Sequence, residues 1–211
     1  PAINRHPLFL SGKIEVQDEG SQLLGYLLAP KRGEMIVDFC AGAGGKSLLL
    51  GALMNSQGRL YAFDVSEKRL SNMKPRFKRS GLSNLHAQRI THENDIKVRR
   101  LIGKIDRVLV DAPCSGLGTL RRNPDLKWRQ SPQSIQELTA KQTAILSAAA
   151  SLLKPGGRLV YATCSFLPEE NQEIIHHFLA THPQFTLLNC TELLSQQKIA
   201  LNTGEFLQLS P

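Results

Sequence analysis

The sequence predicts an α/β fold, a mostly parallel sheet with helices on both faces. Three observations predict it. Short apolar runs alternate with helical patterns along most of the 211 residues. The runs are near-continuously apolar, as in strands covered on both sides. Several of them end in a small-residue turn, an acid or a cysteine, at the strand ends where such sheets hold ligands.

The elements follow in order. Gln17-Asp18-Glu19-Gly20-Ser21 precedes the apolar run Leu23 to Leu28 and reads as a helix start, with Pro30 as its stop. Met35-Ile36-Val37-Asp38-Phe39 is a buried strand running into a glycine cluster, and Lys46 to Met54 is the helix after it. Leu60-Tyr61-Ala62-Phe63 is a second strand, closed by Asp64. Ser66 caps a helix running toward Gly81, in which Pro75 predicts a kink. Asn84 to Ile90 is a weaker strand and Asp106 to Val110 a strong one. Ser134 to Leu153 is a long helix, Lys154-Pro155-Gly156-Gly157 a turn, Arg158 to Thr163 a strand, and Pro168 to His182 a further helix. No repeat, low-complexity tract or linker interrupts this pattern, and the length suits one ordinary domain.

Lys and Arg number 26 against 18 Asp and Glu, a net charge of +8. Such a surplus has two readings, a polyanionic partner or a solvated basic surface. No apolar run approaches the ~18 residues of a membrane span, so no membrane partner is expected. Pro1 to Leu10 lacks the apolar core of a signal peptide. The four cysteines, Cys40, Cys114, Cys164 and Cys190, include no C-x-x-C pair and form no small disulfide framework, so a reducing, cytoplasmic location is expected. The chain starts at Pro1 rather than Met, which reads as a fragment or a processed form.

Cys40-Ala41-Gly42-Ala43-Gly44-Gly45-Lys46 joins the first strand to its helix. Small residues admit a ligand to the backbone, and a helix N-terminus presents free N–H groups. Two common motifs fail here by one residue each. A P-loop ending at Gly45-Lys46-Ser47 would need glycine where Cys40 stands, and a dinucleotide fingerprint starting at Gly42 would need glycine where Ser47 stands. Asp64 closes the second strand 20 residues beyond Gly44. A carboxylate there accepts hydrogen bonds from ribose hydroxyls. No second glycine-rich phosphate site is evident. The pairing therefore points to a nucleoside cofactor without phosphates, such as S-adenosylmethionine.

Asp111-Ala112-Pro113-Cys114-Ser115-Gly116 ends one strand and Thr163-Cys164-Ser165 another. A free cysteine is usually a small buried hydrophobe. Two at ligand-side strand ends, one beside an acid and a proline, are not explained that way. Cys40 and Cys190 keep the core reading.

On these residues the chain resembles the Sun/Fmu and nucleolar-protein family of RNA cytosine-5 methyltransferases. The likeness is carried by Val16 to Gln22, Asp38 to Lys46, Asp111 to Gly118, Arg121-Arg122-Asn123-Pro124-Asp125 and Thr163-Cys164-Ser165, and it spans nearly all of residues 14 to 180. It implies a Rossmann-like class I methyltransferase core over residues 31–211, with a helical lead-in over residues 1–30 and the family's closing strands incomplete. It also implies that Cys40, Ala41, Gly42, Ala43, Gly44, Gly45 and Lys46 cradle the methionine end of S-adenosylmethionine. Asp64 would hold the ribose, and Asp111 would sit between cofactor and target base; Arg69, in the first basic cluster, is a candidate to help hold the cofactor rather than RNA. Cys164 matches the family's nucleophile, and Cys114 the second cysteine that assists product release. The sequence departs from the family where alanine, Ala43, replaces the turn's usual proline. Thr91 and His92 also stand where an adenine-contacting acid is usual.

The chemistry fits these groups. Addition of a thiolate to carbon 6 of cytosine breaks aromaticity and makes carbon 5 enamine-like. Lys46 and the cofactor's sulfonium are candidates to favour the Cys164 thiolate. Asp111 is a candidate to stabilise the added state, and Cys114, or a water instead, to help remove the carbon 5 proton. A structural reading of Asp111, as a cap of the Pro113 loop, stays open. The target base must be unpaired or flipped out.

Three basic clusters are candidate RNA surfaces: Lys68 to Arg79 on one helix, Lys97 to Arg107, and Arg121, Arg122, Lys127 and Arg129 around Trp128. The third, nearest the Cys114 motif and containing an aromatic, is the expected RNA contact; the others read equally as solvated faces. His176, His177 and His182 lack a ligand pattern, so no metal is expected. Ribosomal RNA is expected ahead of transfer RNA as substrate. A non-catalytic protein that binds cofactor and RNA is the alternative of a different class.

Overall fold

The computed structural model describes residues 2–209. Pro1, Ser210 and Pro211, at the chain ends, lie outside the described residues. The lead-in carries a short helix α1 (Pro7–Leu10) and α2 (Glu19–Leu28). Then follow β1 (Met35–Asp38), α3 (Gly45–Leu53), β2 (Arg59–Asp64), α4 (Glu67–Ser80) and β3 (Leu85–Arg89). The second half holds α5 (Ile96–Arg99), β4 (Ile105–Asp111), α6 (Leu126–Arg129), α7 (Pro132–Ser151), β5 (Leu153–Ala162), α8 (Gln172–Thr181) and α9 (Cys190–Gln196).

The five strands are all parallel, in the order β3-β2-β1-β4-β5. Alternation along each strand sorts its side chains into two cores. Ile36, Leu60, Ala62 and Leu109 face Leu48, Leu50, Leu70 and Met73 of α3 and α4. Val37, Phe63, Val108 and Val110 face Ile145 and Ala149 of α7. Both faces are therefore buried, which is why these strands read as unbroken apolar runs. The strand order reverses at β1, so the β1 and β4 ends flank the crevice where such sheets bind ligands.

The helices start where the sequence supplies caps. Asp18 accepts from Gly20 N, and Ser66 from Arg69 N. Pro75 sits on the exposed side of α4, and the helix runs through it unbroken. Two expectations change. The Lys154–Gly157 segment is not a turn before the strand. Pairing starts at Leu153 opposite Ile105 and resumes at Arg158 opposite Arg107, so 154–157 bulge out within β5. Gly157 permits this, because a Cβ there would lie 3.0 Å from Asp106 O. The helix expected from Pro168 starts at Gln172, after a single 3-10 turn at Pro168–Glu170.

The basic clusters also sort themselves. Arg107 is buried, bonded to Glu34 at 2.7 Å and to Leu28 O at 2.8 Å, so it ties α2 to the sheet. Arg76 and Arg79 pair with Glu15 at 3.4 and 2.6 Å and strap the lead-in onto α4. These three belong to the scaffold and are not available as a solvated face.

Candidate active site

Three strands end on an acid at the same sheet edge: Asp38, Asp64 and Asp111. The 40–46 turn winds between them. Gly42 and Gly44 both take left-handed conformations, at φ 57° and 82°. A Cβ on Gly44 would stand 2.6 Å from Met73 Cγ, so the turn packs directly on α4. Asp64 holds the turn from behind: its Oδ2 accepts from Gly42 N at 2.9 Å and its Oδ1 from Ser66 N at 2.8 Å. Each oxygen keeps a further lone pair. Arg69 stands 3.6 Å from Asp64, its side chain mostly exposed.

A cleft of about 310 Å³ opens above the turn, walled by Asp38, Cys40, Gly42, Lys46 and Asp111 and, from the lead-in, Gln17. Lys46 Nζ bonds Asp111 Oδ2 at 2.7 Å, both side chains partly buried. Asp38 was not singled out in the sequence. It is fully buried; Ser47 Oγ donates to its Oδ2 at 2.7 Å, while Oδ1 has no partner among the described residues. Burial raises its pKa to about 7 against the Ser47 hydrogen bond. A buried carboxylate with an unpaired oxygen in a cleft wall is a receptor for a cationic or N–H group. Its signal was available: it is the acid that ends an apolar strand, like Asp64.

The two cysteine turns leave the sheet side by side, because β4 and β5 are in register at Asp111 and Ala162. Cys114 Sγ and Cys164 Sγ lie 3.1 Å apart, and Cys164 N is 3.3 Å from Cys114 Sγ. The Cys114 hydrogen bond pulls the Cys164 thiol down to about 7, against burial and Asp111, with Lys46 helping. Cys114 is pushed up, first by donating to Cys164 and then by burial. The thiolate belongs on Cys164, the more exposed sulfur, where water still solvates the charge. Burial and the nearby acids push the Cys40 thiol up, and burial raises Cys190 on α9, so both keep the neutral reading.

From the Cys114 turn the chain continues as an open loop. Gly118 N donates to Cys164 O at 2.9 Å, and a Cβ on Gly118 would press on that same oxygen. Gln130 Nε2 returns to Ser115 O at 2.9 Å. Between these anchors Arg121, Arg122, Lys127 and Arg129 are exposed. Arg122 pairs with Asp18 at 3.1 Å and Arg129 with Asp125 at 2.6 Å. Trp128 is 80% exposed, with Lys127 Nζ 4.8 Å from its ring centre. Glu170 and Asn171, which read in sequence only as a helix start, bond to both cysteine turns. Of the late histidines, His182 stacks on Phe178 with ring centres 4.2 Å apart, while His176 and His177 are exposed.

A family model for 16S rRNA methyltransferase RsmB/F matches residues 25–211. The chain belongs to the RsmB/F family. It is 42% identical over 184 residues to a probable ribosomal RNA small subunit methyltransferase B of Synechocystis, covering 86% of this chain and 40% of that protein. The Bacillus subtilis protein of the same description is 39% identical, over 84% of this chain and 39% of its own length. The chain thus spans about two fifths of these curated relatives. Among solved structures, NSun6 from Pyrococcus horikoshii with SFG is 30% identical at a TM-score of 0.77, covering 86% of this chain and 46% of that one. PH0851 is 39% identical at 0.82, covering 88% of this chain and 42% of that one. The fold is accordingly the Rossmann-like class I methyltransferase fold, and the RsmB/F family uses S-adenosylmethionine.

Proposed function

We propose that this RsmB/F chain is the catalytic core of an S-adenosylmethionine-dependent methyltransferase that acts on carbon 5 of a cytosine in ribosomal RNA, with Cys164 as nucleophile. The observation that carries this reading is the pair of sulfurs 3.1 Å apart beside the acid-lined cleft.

The cleft suits the cofactor. The unpaired Asp38 Oδ1 fits an ammonium group, and the open side of the 40–46 turn leaves Gly42 facing empty space. The residues that would hold it are Asp38 and Cys40 to Lys46, with Asp64 and Arg69 at the ribose side and Asp111 at the junction with the base. When bound, S-adenosylmethionine supplies an electrophilic methyl group. The protein's residues do the rest. Cys164, ionised near neutral pH by its Cys114 hydrogen bond, adds to carbon 6 and makes carbon 5 nucleophilic. Asp111, held by Lys46, hydrogen-bonds the ring edge in the added state. After methylation carbon 5 carries one proton too many. A water takes that proton, the carbon–hydrogen electron pair forms the double bond between carbons 5 and 6, and the Cys164–carbon 6 bond breaks with its electrons returning to Cys164 as thiolate, which restores aromaticity. Cys114, within 3.1 Å of Cys164, assists that release. Arg121, Arg122 and Lys127 contact RNA phosphates beside the site.

The test is methyl transfer from radiolabelled S-adenosylmethionine to RNA from cells lacking the gene, using the full-length protein and digestion to nucleosides. Label in 5-methylcytidine, absent with Cys164→Ala, is the expected result. Label in another nucleoside, or label that survives Cys164→Ala, overturns the reading.

A further inference from the structure

Two adjacent residues bond both cysteine turns. Glu170 is fully buried, yet no basic side chain pairs with it among the described residues. Its carboxylate is satisfied by the Cys114 turn instead. Oε1 accepts from Ser115 N at 2.8 Å and Gln142 Nε2 at 2.9 Å, and Oε2 accepts from Ser115 Oγ. The same Gln142 amide donates to Pro113 O at 2.9 Å, so Cys114 is flanked on both sides by groups tied to Glu170. Burial pushes the Glu170 carboxyl up, but hydrogen bonds from Ser115, Ser165 and Gln142 together hold it below the usual range.

Asn171 does the corresponding work on the other turn. Its Oδ1 accepts from Thr163 Oγ1 at 2.6 Å, and its Nδ2 donates to Ser165 O at 3.0 Å and Leu167 O at 2.8 Å. Cys164 lies between Thr163 and Ser165 and is therefore flanked the same way. Ser115 Oγ and Ser165 Oγ, 3.1 Å apart, close the network between the turns. Tyr161 OH donates to Glu170 O at 2.8 Å and fixes the brace to β5.

We infer that Glu170 and Asn171 are positioning residues that together set the separation and orientation of the Cys114 and Cys164 sulfurs. The inference rests on the catalytic reading of the two cysteines. Burying a carboxylate without a cation is costly unless hydrogen bonds replace the lost water. Here those bonds come from Ser115, which flanks Cys114, from Gln142, and from Ser165, which flanks Cys164. The β4–β5 pairing ends at Asp111 and Ala162, and beyond it the hydrogen bonds of Ala112 N to Ala162 O, Gly118 N to Cys164 O and Gln130 Nε2 to Ser115 O join the brace in holding the two turns. The consequence is chemical. The charged and titratable groups facing Cys164 are Cys114, Asp111 and Lys46, and Cys114 has the largest influence on its ionisation. Moving the Cys114 turn removes that hydrogen bond and leaves Cys164 with a more ordinary thiol.

The test reads Cys164 directly in the full-length protein. Its alkylation by iodoacetamide is followed against pH, with site-specific detection by peptide mass spectrometry. Wild type should inflect near pH 7. Cys114→Ala should move the inflection up toward the ordinary thiol value of about 8.5. Glu170→Gln should move it in the same direction, and should add nothing in the Cys114→Ala background, since both act through one hydrogen bond. Undiminished S-adenosylmethionine binding shows that the variant is folded. Ser115→Ala, which removes one donor and leaves the charge, is the second variant and should give a smaller shift of the same sign. In methyl transfer, Glu170→Gln should lower kcat at neutral pH with little change in KM for RNA, and raising the pH should restore much of it.

An inflection unmoved in both variants overturns the brace, as does a Glu170→Gln shift that adds in full to that of Cys114→Ala. Alkylation needs no RNA, so the outcomes separate. Normal alkylation behaviour without any RNA methylation would sink the functional reading alone.

Discussion

Between Cys114 and Gln130 the chain passes from a buried, hydrogen-bonded turn to an open loop. Ser115 is 2% exposed and bonded to Glu170 and Gln130, whereas Trp128, 13 residues on, is 80% exposed. The Cys114 and Cys164 turns are held by uncharged and carboxylate partners at short range. The loop is held at its two ends, and its exposed ion pairs, Arg122–Asp18 and Arg129–Asp125, each contribute about 1 kcal/mol or less. On the function proposed above, the difference follows from what each region would do. Covalent chemistry on a base needs two sulfurs and an acid fixed to a fraction of an ångström. RNA contact needs charge and an aromatic surface that can adjust to an irregular backbone.

Substitutions should divide along the same line. The largest effect is expected at Cys164. Cys164→Ala should cut formation of 5-methylcytidine by about 10⁴-fold or more, the scale of nucleophile loss in covalent enzymes, with RNA affinity nearly unchanged. An equal loss of affinity would show that the turn also carries recognition.

The double variant Arg121→Ala/Arg122→Ala should do the reverse. RNA affinity should fall about 10-fold, and the slope of log K against log salt should flatten by about 1–2, while S-adenosylmethionine affinity stays intact. Parallel loss of cofactor binding would mean that the loop supports the cleft. Gly118→Ala tests the join between the two regions. A Cβ there meets Cys164 O at 2.9 Å, in a position where little can give way. Activity should drop about 10-fold or more while melting temperature changes little, because the cost falls on a loop at the edge of the fold. The smallest effect is spectroscopic. Trp128 is the only tryptophan, so single-stranded RNA should quench the protein's tryptophan fluorescence, and a duplex of the same sequence should quench it less. Equal quenching by both would place the ring away from any unpaired base.

Much of this molecule was legible in the sequence. The central strands β1, β2 and β4 are apolar runs because both sheet faces are covered there, while the half-buried edge strand β3 reads more weakly. Lys154–Gly157 misled because Pro and two Gly usually mark a turn, and only the β4 partner shows that they bulge within a strand. The two cysteines could be named because each closes a strand, but their 3.1 Å approach comes from the β4–β5 register. Asp38 carried the same strand-end signal as Asp64, but its burial and its unpaired oxygen come only from the fold. Glu170 and Asn171 were hidden because Pro-Glu-Glu-Asn is ordinary helix-start composition. Their partners lie 55 residues away at Ser115 and eight residues away at Thr163, and only folding brings these together.

The division of labour between the two sulfurs is tested most directly by incubating Cys114→Ala with RNA and S-adenosylmethionine and running the products on a denaturing gel. A covalent protein–RNA band is expected, present in Cys114→Ala, absent from wild type at steady state, and lost when Cys164→Ala is added. Release of methylated RNA from Cys114→Ala at the wild-type rate, with no band, would contradict it.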